Sequence, residues 1–570
     1  MSPPLPDPTG TGQTPGLLAR LRAARLARRL RRARSRLGRF RQVASRFLYV
    51  PPHLHLADPS IAGDFLAGQI VLGGRSLLTA GRSPLDMALP GKTFSLAFHG
   101  FDWLRHFEAN GAAEVRAGAR SLVIQWMARR EAGHLPDAEL PQAVTRRIVN
   151  WVTHSALLAE NADHAGYRRL MAHVGRDAAM VRVIARTSGI GMIRLDAAIA
   201  YLFQALALDH RRGILAEAEG LLLLALGECL AEDGTPRDRS AGTAVELAAN
   251  LIPVLALYRA RQRAVPDLLS PALLRLISFI RMMQHPDGGL ALFNGSGRVT
   301  RDLVAQVLQF GMGQSLRIES APDAGFERME DEHGLLIADA GALPKPGFGS
   351  EAGAGALAFE FSTKSDRLIV NCGIPHAAEG EAAASYRQAS AHSTVLIDDE
   401  PLVRLAWNAN ALLGPVREPV SEGPFSAPRL ESGPGGTALV LGHDGFLAAK
   451  SIRIERRLTL LANGGGLLGL DRFEDARDEA PSHRLTLAFH LHPRVMPVPL
   501  SRRDAVVLRL QHQAPGRDMW LFEVPGVPLQ IEASRCYEQD FASPETEVIV
   551  VEVVVAGNTE IAWRLIPYRG

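Results

Sequence analysis

The stretch Tyr386–Ile397, with the sequence YRQASAHSTVLI, passes from a polar segment through His392 into the short apolar run Thr394–Ile397. It lies in the part of the chain after Gln314, where glycine is frequent and short runs of β-branched or alternating apolar residues recur. Turn residues separate these runs at intervals of about 8–15 residues, which is typical of antiparallel strands. The pattern predicts a large antiparallel β-sandwich over residues 315–570.

The chain before this region reads as a series of helices. Apolar residues recur at i, i+3, i+4 and i+7, with glycine and proline between the segments. The segments are Ser95–Asn110, Ala112–Arg130, Glu139–Glu160, Ala165–Thr187, Arg194–His210, Gly213–Glu232, Gly242–Ala260 and Pro271–Gln284. Helical hairpins with short connections form a toroid or a solenoid, and the lack of a fixed repeat disfavours the solenoid. The predicted fold is therefore an incomplete (α/α) toroid over residues 51–314, followed by the sandwich.

The N-terminal segment is strongly basic. Residues 1–15 are rich in proline and glycine and are predicted to be disordered, and residues 16–50 form a predicted helix with eleven arginines from Arg20 to Arg41. Removing these eleven from the 63 basic residues leaves 52 against 60 acidic residues, so the body of the protein is not expected to bind nucleic acid. The helix itself fits an anionic membrane surface, a nucleic-acid arm or a solvated helix packed on the body.

Composition excludes several other classes of protein. Apolar residues make up 47% and charged residues 22% of the 570 residues, as in folded globular proteins. We find no uncharged apolar run long enough for a membrane-spanning helix, and no secretory signal pattern. The three cysteines are far apart, which excludes a disulfide framework and a cysteine-based zinc module.

Eight local strings, in this order, resemble the heparinase II/III family of bacterial proteins. They are Phe98–Arg105 (FHGFDWLR), Asn150–Ser155 (NWVTHS), Glu232–Ser240 (EDGTPRDRS), Asp287–Gly297 (DGGLALFNGSG), Ala358–Gly373 ending in RLIVNCG, Tyr386–Ile397, His443–Phe446 (HDGF) and Phe489–Pro493 (FHLHP). The resemblance implies an α/α toroid followed by a β-sandwich. It also implies a polysaccharide lyase, a carbon–oxygen lyase that cleaves uronic-acid-containing glycans such as heparan sulfate or alginate.

Such a lyase works by β-elimination. A base removes the C5 proton of the uronic acid, an acid protonates the departing O4, and a third group neutralises the carboxylate. By resemblance, His392 lines the site between the two domains as base or acid. Tyr386 is its predicted partner, and His154 is the third candidate catalytic residue.

Three further residues are candidates for binding the substrate carboxylate. Asn150 shares one helix face with His154, since the two are four residues apart. Arg239 lies at a predicted helix start, where an anion is favoured. Arg387 follows Tyr386 and could bind a carboxylate through two parallel hydrogen bonds.

The chain departs from the family pattern at three positions. Thr243 or Ala244 stands where a tyrosine is common, Gly353 stands where a histidine is common, and Asn371-Cys372 replaces a pair that often contains aspartate. No cofactor is assigned and no metal ligand is named. A divalent metal remains an alternative, although its expected ligands are partly missing.

Two functions therefore stay open. The first is β-elimination of an acidic glycan, and the alternative is a non-catalytic glycan-binding or envelope polysaccharide assembly protein of the same fold. A weaker third interpretation is a glycoside hydrolase that uses Asp233, Asp238 and Glu246. The predicted partners are an acidic polysaccharide and, through the basic helix, an anionic membrane surface, but not nucleic acid. By resemblance the protein belongs to the cell envelope or periplasm, with the cytoplasm as the alternative.

Overall fold

The computed structural model describes residues 17–34, 46–210, 213–311, 313, 315–341, 343–410, 414–421, 423–477, 480–511, 519–538 and 545–568. The predicted disorder of residues 1–15 lies outside these ranges, as do residues 35–45 of the predicted basic helix. The described part of that segment is helical from Leu17 to Arg34.

A helical layer comes next. Its α-helices are Pro59–Leu66, Lys92–Gly100, Leu104–Ala109, Ala113–Glu131, Pro141–Thr153, Ser155–Ala159, His164–Ala185, Met192–Ala207, Ile214–Cys229, Ala241–Ala260, Leu269–Met282 and Arg301–Phe310. Two short helices, Gly380–Ser385 and Leu447–Lys450, lie among the later strands. Ala241–Ala260 is the one described helix long and apolar enough to cross a membrane, and most of its apolar window is buried inside the protein.

Two predicted helices are each divided in the structure. Ser95–Asn110 is interrupted after Gly100, because Phe101 takes a left-handed conformation with φ of 63° and ends the first helix. Glu139–Glu160 becomes Pro141–Thr153 and Ser155–Ala159, with His154 at the break. The proline at the first position of Pro141–Thr153 has no N–H to leave unpaired, so it favours a helix start there.

The strands follow in the second half, apart from one early hairpin. They are β1 Gln69–Leu72, β2 Arg75–Leu78, β3 Ser320–Ala321, β4 Phe326–Glu330, β5 Gly334–Asp339, β6 Phe359–Thr363, β7 Arg367–Val370, β8 Val395–Ile397, β9 Glu400–Pro401, β10 Arg404–Asn410, β11 Gly414–Val420, β12 Phe425–Gly433, β13 Gly436–His443, β14 Ile452–Leu461, β15 Gly466–Asp475, β16 Ser482–Leu491, β17 Val495–Pro499, β18 Ala505–Leu510, β19 Met519–Glu523, β20 Leu529–Arg535, β21 Glu545–Ala556 and β22 Thr559–Pro567.

Most of these strands form two large antiparallel sheets, while β1 with β2 and β10 with β11 form separate two-stranded sheets. One has the order β20-β21-β16-β7-β6-β5-β4-β3, with β8 and β9 attached through β16. The other has the order β12-β13-β14-β15-β22-β19-β18-β17. Alternate residues of each sheet point to a shared apolar core, in which Phe359 of the first stacks on Trp563 of the second with ring centroids 5.6 Å apart. This is a β-sandwich, as the sequence predicts.

The helical layer and the first sheet share one apolar core. Phe326 on β4 packs against Phe279 and Phe293 of the helical half, with ring centroids 6.3 and 5.2 Å away. A buried ionic cluster also crosses the junction, because Arg367 on β7 binds Asp287 of the helical half at 3.0 Å. The two halves therefore bury apolar and charged groups against each other.

The basic helix Leu17–Arg34 lies against this body. Leu26, Leu30 and Ala33 are buried in the helical core, while the described arginine side chains face outward. Its apolar stripe is therefore used for packing, as in the solvated-helix interpretation.

Candidate functional site

His392 is enclosed by backbone. Its side chain is only 5% exposed, and Nδ1 donates a hydrogen bond to the Gln388 carbonyl at 2.8 Å. A Cβ added to Gly353 would lie 2.6 Å from Nε2, and one added to Gly355 would lie 2.4 Å from Cδ2. The two glycines therefore cover the ring. Burial also lowers the pKa of His392 below its usual value, which favours the neutral imidazole.

Asn294 connects this glycine loop to the helical half. Its Oδ1 accepts a hydrogen bond from the Gly353 N–H at 2.9 Å, and its Nδ2 donates to the Arg239 carbonyl at 3.0 Å. Asn294 has a positive φ of 49°, which places its side chain across the junction at some cost in backbone strain. The pocket beside it has a cavity volume of about 10 Å³, which is room for about one water molecule.

The structure brings three of the six predicted site residues to this pocket. His392, Tyr386 and Arg387 line it together with Asn294 and Glu351. Among the described lining residues, Asn150, His154 and Arg239 do not occur. The volume is below that of ordinary ligand pockets, which begin at about 300 Å³.

Tyr386 is paired with another tyrosine. Its hydroxyl lies 3.1 Å from the Tyr537 hydroxyl, and the Arg535 guanidinium donates to Tyr537 at 3.0 Å. Burial, together with the second tyrosine, raises the pKa of Tyr386. Sequence reasoning missed Tyr537 and Arg535, because they lie about 150 residues further along the chain than Tyr386, and no pattern relates the two segments.

The Arg387 side chain donates hydrogen bonds to backbone carbonyls. It is buried, and it donates to the carbonyls of Ala352, Gly349 and Arg417 at 2.9, 2.8 and 2.8 Å. These bonds join the loop before β6 to the hairpin of β10 and β11.

Asn150 is bound within the helical layer. Its Nδ2 donates to the Gly100 carbonyl at 2.8 Å and to Asp102 at 2.9 Å. Arg146, one turn earlier, donates to the other Asp102 oxygen at 3.1 Å. Asn150 thus already has a carboxylate partner within its own domain.

His154 lies at the break between two helices. It is 2% exposed, and its Nδ1 lies 2.5 Å from Glu108 Oε2. The ring of His53 packs against it at a centroid distance of 5.1 Å. His154 is therefore part of a separate cluster with Glu108 and His53, although it shares a helix face with Asn150.

Arg239 joins the two halves. Its guanidinium donates to Asp339 on β5 and to the Ala324 carbonyl, both at 2.5 Å, and packs over the Phe326 ring at 4.9 Å. The side chain is almost fully buried. Arg239 thus binds an anion, as predicted, but this anion is the Asp339 carboxylate of the protein itself.

A further group of carboxylates lies in the helical layer. Burial raises the pKa of Asp196 to about 7, with Arg146 opposing and Glu246 adding to the shift. Burial raises the pKa of Asp238 to about 6, but its oxygens already accept from Ser240 N–H and the Thr243 hydroxyl. Asp233, the third hydrolase candidate, accepts from Thr235 and forms a turn.

In the part of the sandwich that the structure describes, no three histidine, cysteine or carboxylate side chains lie close enough together to hold a metal ion. His490 donates to the Ser390 carbonyl at 3.1 Å and accepts from the Ser534 hydroxyl at 2.8 Å, so both ring nitrogens are used. The nearby thiol of Cys372 has a pKa raised to about 11 by burial, which disfavours the thiolate that binds metals. His392 is buried and bonded through Nδ1 to the Gln388 carbonyl, so the residues present here do not fit a metal ion.

The C-terminal part of the chain matches a known protein family. Residues 313–564 match the family model described as Heparinase II/III-like, C-terminal. These residues are a heparinase II/III-like C-terminal domain. The resemblance read from the sequence is confirmed, and so is the predicted order of a helical toroid followed by a β-sandwich.

Solved structures carry the same two-part fold as this chain. A heparinase III structure aligns with a TM-score of 0.70 at 12% identity, covering 96% of this chain and 90% of that one. A mutant heparan sulfate lyase of Pedobacter heparinus aligns with a TM-score of 0.59 at 14% identity, covering 97% and 90%. At these identities the likeness concerns the fold alone.

A curated relative is closer in sequence. FtsZ-localized protein C of Caulobacter vibrioides is 27% identical over 526 residues, which are 90% of this chain and 89% of the relative. The alignment thus includes both the helical layer and the heparinase II/III-like domain.

Proposed function

We propose that this chain is a non-catalytic protein of heparinase fold that works in bacterial cell division at the envelope. One observation carries the proposal: His392 is 5% exposed, and Gly353 and Gly355 pack so closely on its ring that an added Cβ would lie 2.6 Å from Nε2 and 2.4 Å from Cδ2. A general base must come within hydrogen-bond reach of the proton that it removes. A neutral imidazole covered by two glycines does not meet that condition without movement of the loop.

The internal partners of the other candidate residues support the same conclusion. Arg239 binds Asp339, and Asn150 binds Asp102, at hydrogen-bond distances within the protein. A uronic acid would have to displace these carboxylates to be neutralised. Because Arg239 and Asp339 are buried, breaking that pair would leave a charge without a partner, which is costly.

The relative supplies the cellular context of the proposal. Its name places it with FtsZ, and the alignment extends over most of both chains. We therefore propose FtsZ, or a complex that contains it, as the protein partner of this chain. An acidic glycan and an anionic membrane surface are the further partners that the family and the basic helix favour.

A lyase assay tests the absence of catalysis. Purified full-length protein is incubated with heparan sulfate, alginate and other uronic-acid glycans, and the ultraviolet absorbance of the unsaturated product is followed. We expect no increase above the buffer control, and the same trace for His392→Ala. Product formation that His392→Ala abolishes would overturn the proposal in favour of a lyase. New reducing ends without that absorbance would indicate a hydrolase.

A sedimentation assay tests the proposed partner. FtsZ is polymerised with GTP, mixed with the protein and pelleted, with unpolymerised FtsZ and the protein alone as controls. We expect the protein in the pellet only when polymers are present. Equal amounts in the pellet with and without polymer would reject FtsZ as the partner, and would leave the result of the lyase assay unaffected.

A further inference from the structure

A cluster of two histidines and a glutamate lies away from the His392 pocket. His53, Glu108 and His154 each offer one nitrogen or oxygen, and these three atoms lie within 4.8 Å of one another. His154 is buried, Glu108 is partly exposed and His53 is exposed. The cluster is thus buried on the His154 side and open to solvent on the His53 side, where an ion could enter.

Three separate elements supply these residues. Glu108 is on the helix Leu104–Ala109, and His154 lies between Pro141–Thr153 and Ser155–Ala159. His53 is on the extended segment that connects the N-terminal region to the helical layer. An ion bound by all three would therefore link that segment to two helices.

Hydrogen bonds hold the segment on both sides of His53. Before it, the Leu48 N–H donates to the Ala207 carbonyl at 2.8 Å. After it, the Leu56 carbonyl accepts from Arg105 at 3.0 Å, and the Asp58 N–H donates to His106 at 3.0 Å. The imidazole of His53 is consequently held near His154 by the fold, with only its own side chain free to adjust.

The donor set suits zinc. Two imidazoles and one carboxylate, with water as the fourth ligand, form a known tetrahedral arrangement, with bonds of about 2.0–2.2 Å. That geometry puts ligand atoms about 3.3 Å apart. Nδ1 of His154 and Oε2 of Glu108, now 2.5 Å apart, need to separate by about 0.8 Å. The His53 nitrogen needs to approach them by about 1.5 Å at most, which rotation of its exposed side chain can supply. An ion bound at Nδ1 of His154 would replace the hydrogen bond between that nitrogen and Glu108, and the ring would carry its proton on Nε2.

We propose that His53, Glu108 and His154 form a zinc site that fastens the N-terminal connecting segment to the helical layer. The site is independent of the His392 pocket and of the proposed partner. Bound there, zinc would join the chain after the basic helix to the body and keep water in its fourth position. Zinc bound only to the folded state would also raise the stability of the protein.

Metal titration of the full-length, tag-free protein tests the site. The protein is treated with chelator and desalted, and then titrated with Zn²⁺ by calorimetry and with Co²⁺ by visible absorption. We expect one ion per chain, with the intense Co²⁺ bands of a tetrahedral site. The exposed His53 is the safest ligand to change, and His53→Gln should weaken Zn²⁺ binding by about tenfold or more.

A matched control and a second readout complete the test. His134→Gln removes another exposed histidine on the helical layer and should bind Zn²⁺ like the wild type. Zn²⁺ should raise the melting temperature of the wild type and of His134→Gln, but not that of His53→Gln. Saturable binding that is equal in wild type and His53→Gln would overturn the proposal, and so would the absence of saturable binding in the wild type.

Discussion

The imidazole of His392 shows how one missing side chain changes a site. Gly353 has an ordinary backbone conformation, so the reason for glycine is space and not φ. A methyl group there would come within 2.6 Å of Nε2, closer than side chains pack. The position of the His392 ring therefore requires a residue without a side chain at position 353.

Gly353→Ala should destabilise the protein by about 1–3 kcal/mol, because the new methyl group overpacks a filled site. Urea unfolding measures the change. Gly220→Ala is the matched control, since its Cβ meets nothing within 4 Å and it lies in the helix Ile214–Cys229. The control should be neutral or stabilising. A loss in Gly353→Ala that persists in the double variant with His392→Ala would contradict the proposed clash.

Arg239→Met tests whether this arginine stabilises the contact between the two halves or serves to bind a ligand. Removing the guanidinium leaves Asp339 buried without its charge partner, which should cost about 3–5 kcal/mol in unfolding free energy. The double variant Arg239→Met/Asp339→Asn should recover part of that loss. Unchanged stability in the single variant would show that the buried pair is dispensable.

At the scale of one element, the helix Leu17–Arg34 has a buried apolar face and an exposed basic face. Its apolar stripe is occupied by packing, with Leu26 and Leu30 buried against the body. Attraction to a membrane must then come from the outward arginines rather than from insertion. Such attraction acts over about a Debye length and weakens with salt.

Replacing Arg25, Arg28, Arg29 and Arg31 with glutamine should abolish binding to vesicles that contain phosphatidylglycerol. Each charge contributes about 1 kcal/mol near an anionic surface. Flotation with vesicles measures binding, and the four-lysine variant is the charge-preserving control. Wild-type binding should fall steeply with added salt and disappear when residues 1–45 are deleted. Binding that survives the deletion would reject this helix as the membrane contact.

At the scale of the whole molecule, acid should destabilise the protein. Histidines with a lowered pKa stay neutral when folded but take up protons when unfolded, so stability falls as the pH drops from 6.5 toward the folded values. Asp196 and Asp238, with pKa values of about 7 and 6, oppose this, because they hold protons in the folded state. The histidines outnumber them: His99, His106, His173, His210, His443 and His490 have a pKa of about 4, and His492 about 3.

The expected result is a lower unfolding free energy at pH 5 than at pH 7, measured by urea titration at constant ionic strength. A higher value at pH 5 would mean that the two carboxyl groups outweigh the histidines.

Periodicity predicted the architecture because helix and strand patterns are local. Resemblance to the family, rather than periodicity, singled out His392, Tyr386 and Arg387, which line one pocket in the structure. It did not foresee the partners of Arg239 and Asn150, since Asp339 lies 100 residues from Arg239 and Asp102 lies 48 residues before Asn150. Close packing of a backbone on a ring, as at Gly353, leaves no periodic signal.

The shared apolar core at the junction has a practical consequence. Phe279 and Phe293 rest on Phe326, so neither half is complete without the other. A fragment that stops at residue 311 would expose this aromatic face to water and should aggregate on expression. Calorimetry of the intact chain should accordingly record both halves melting together, as one cooperative unit.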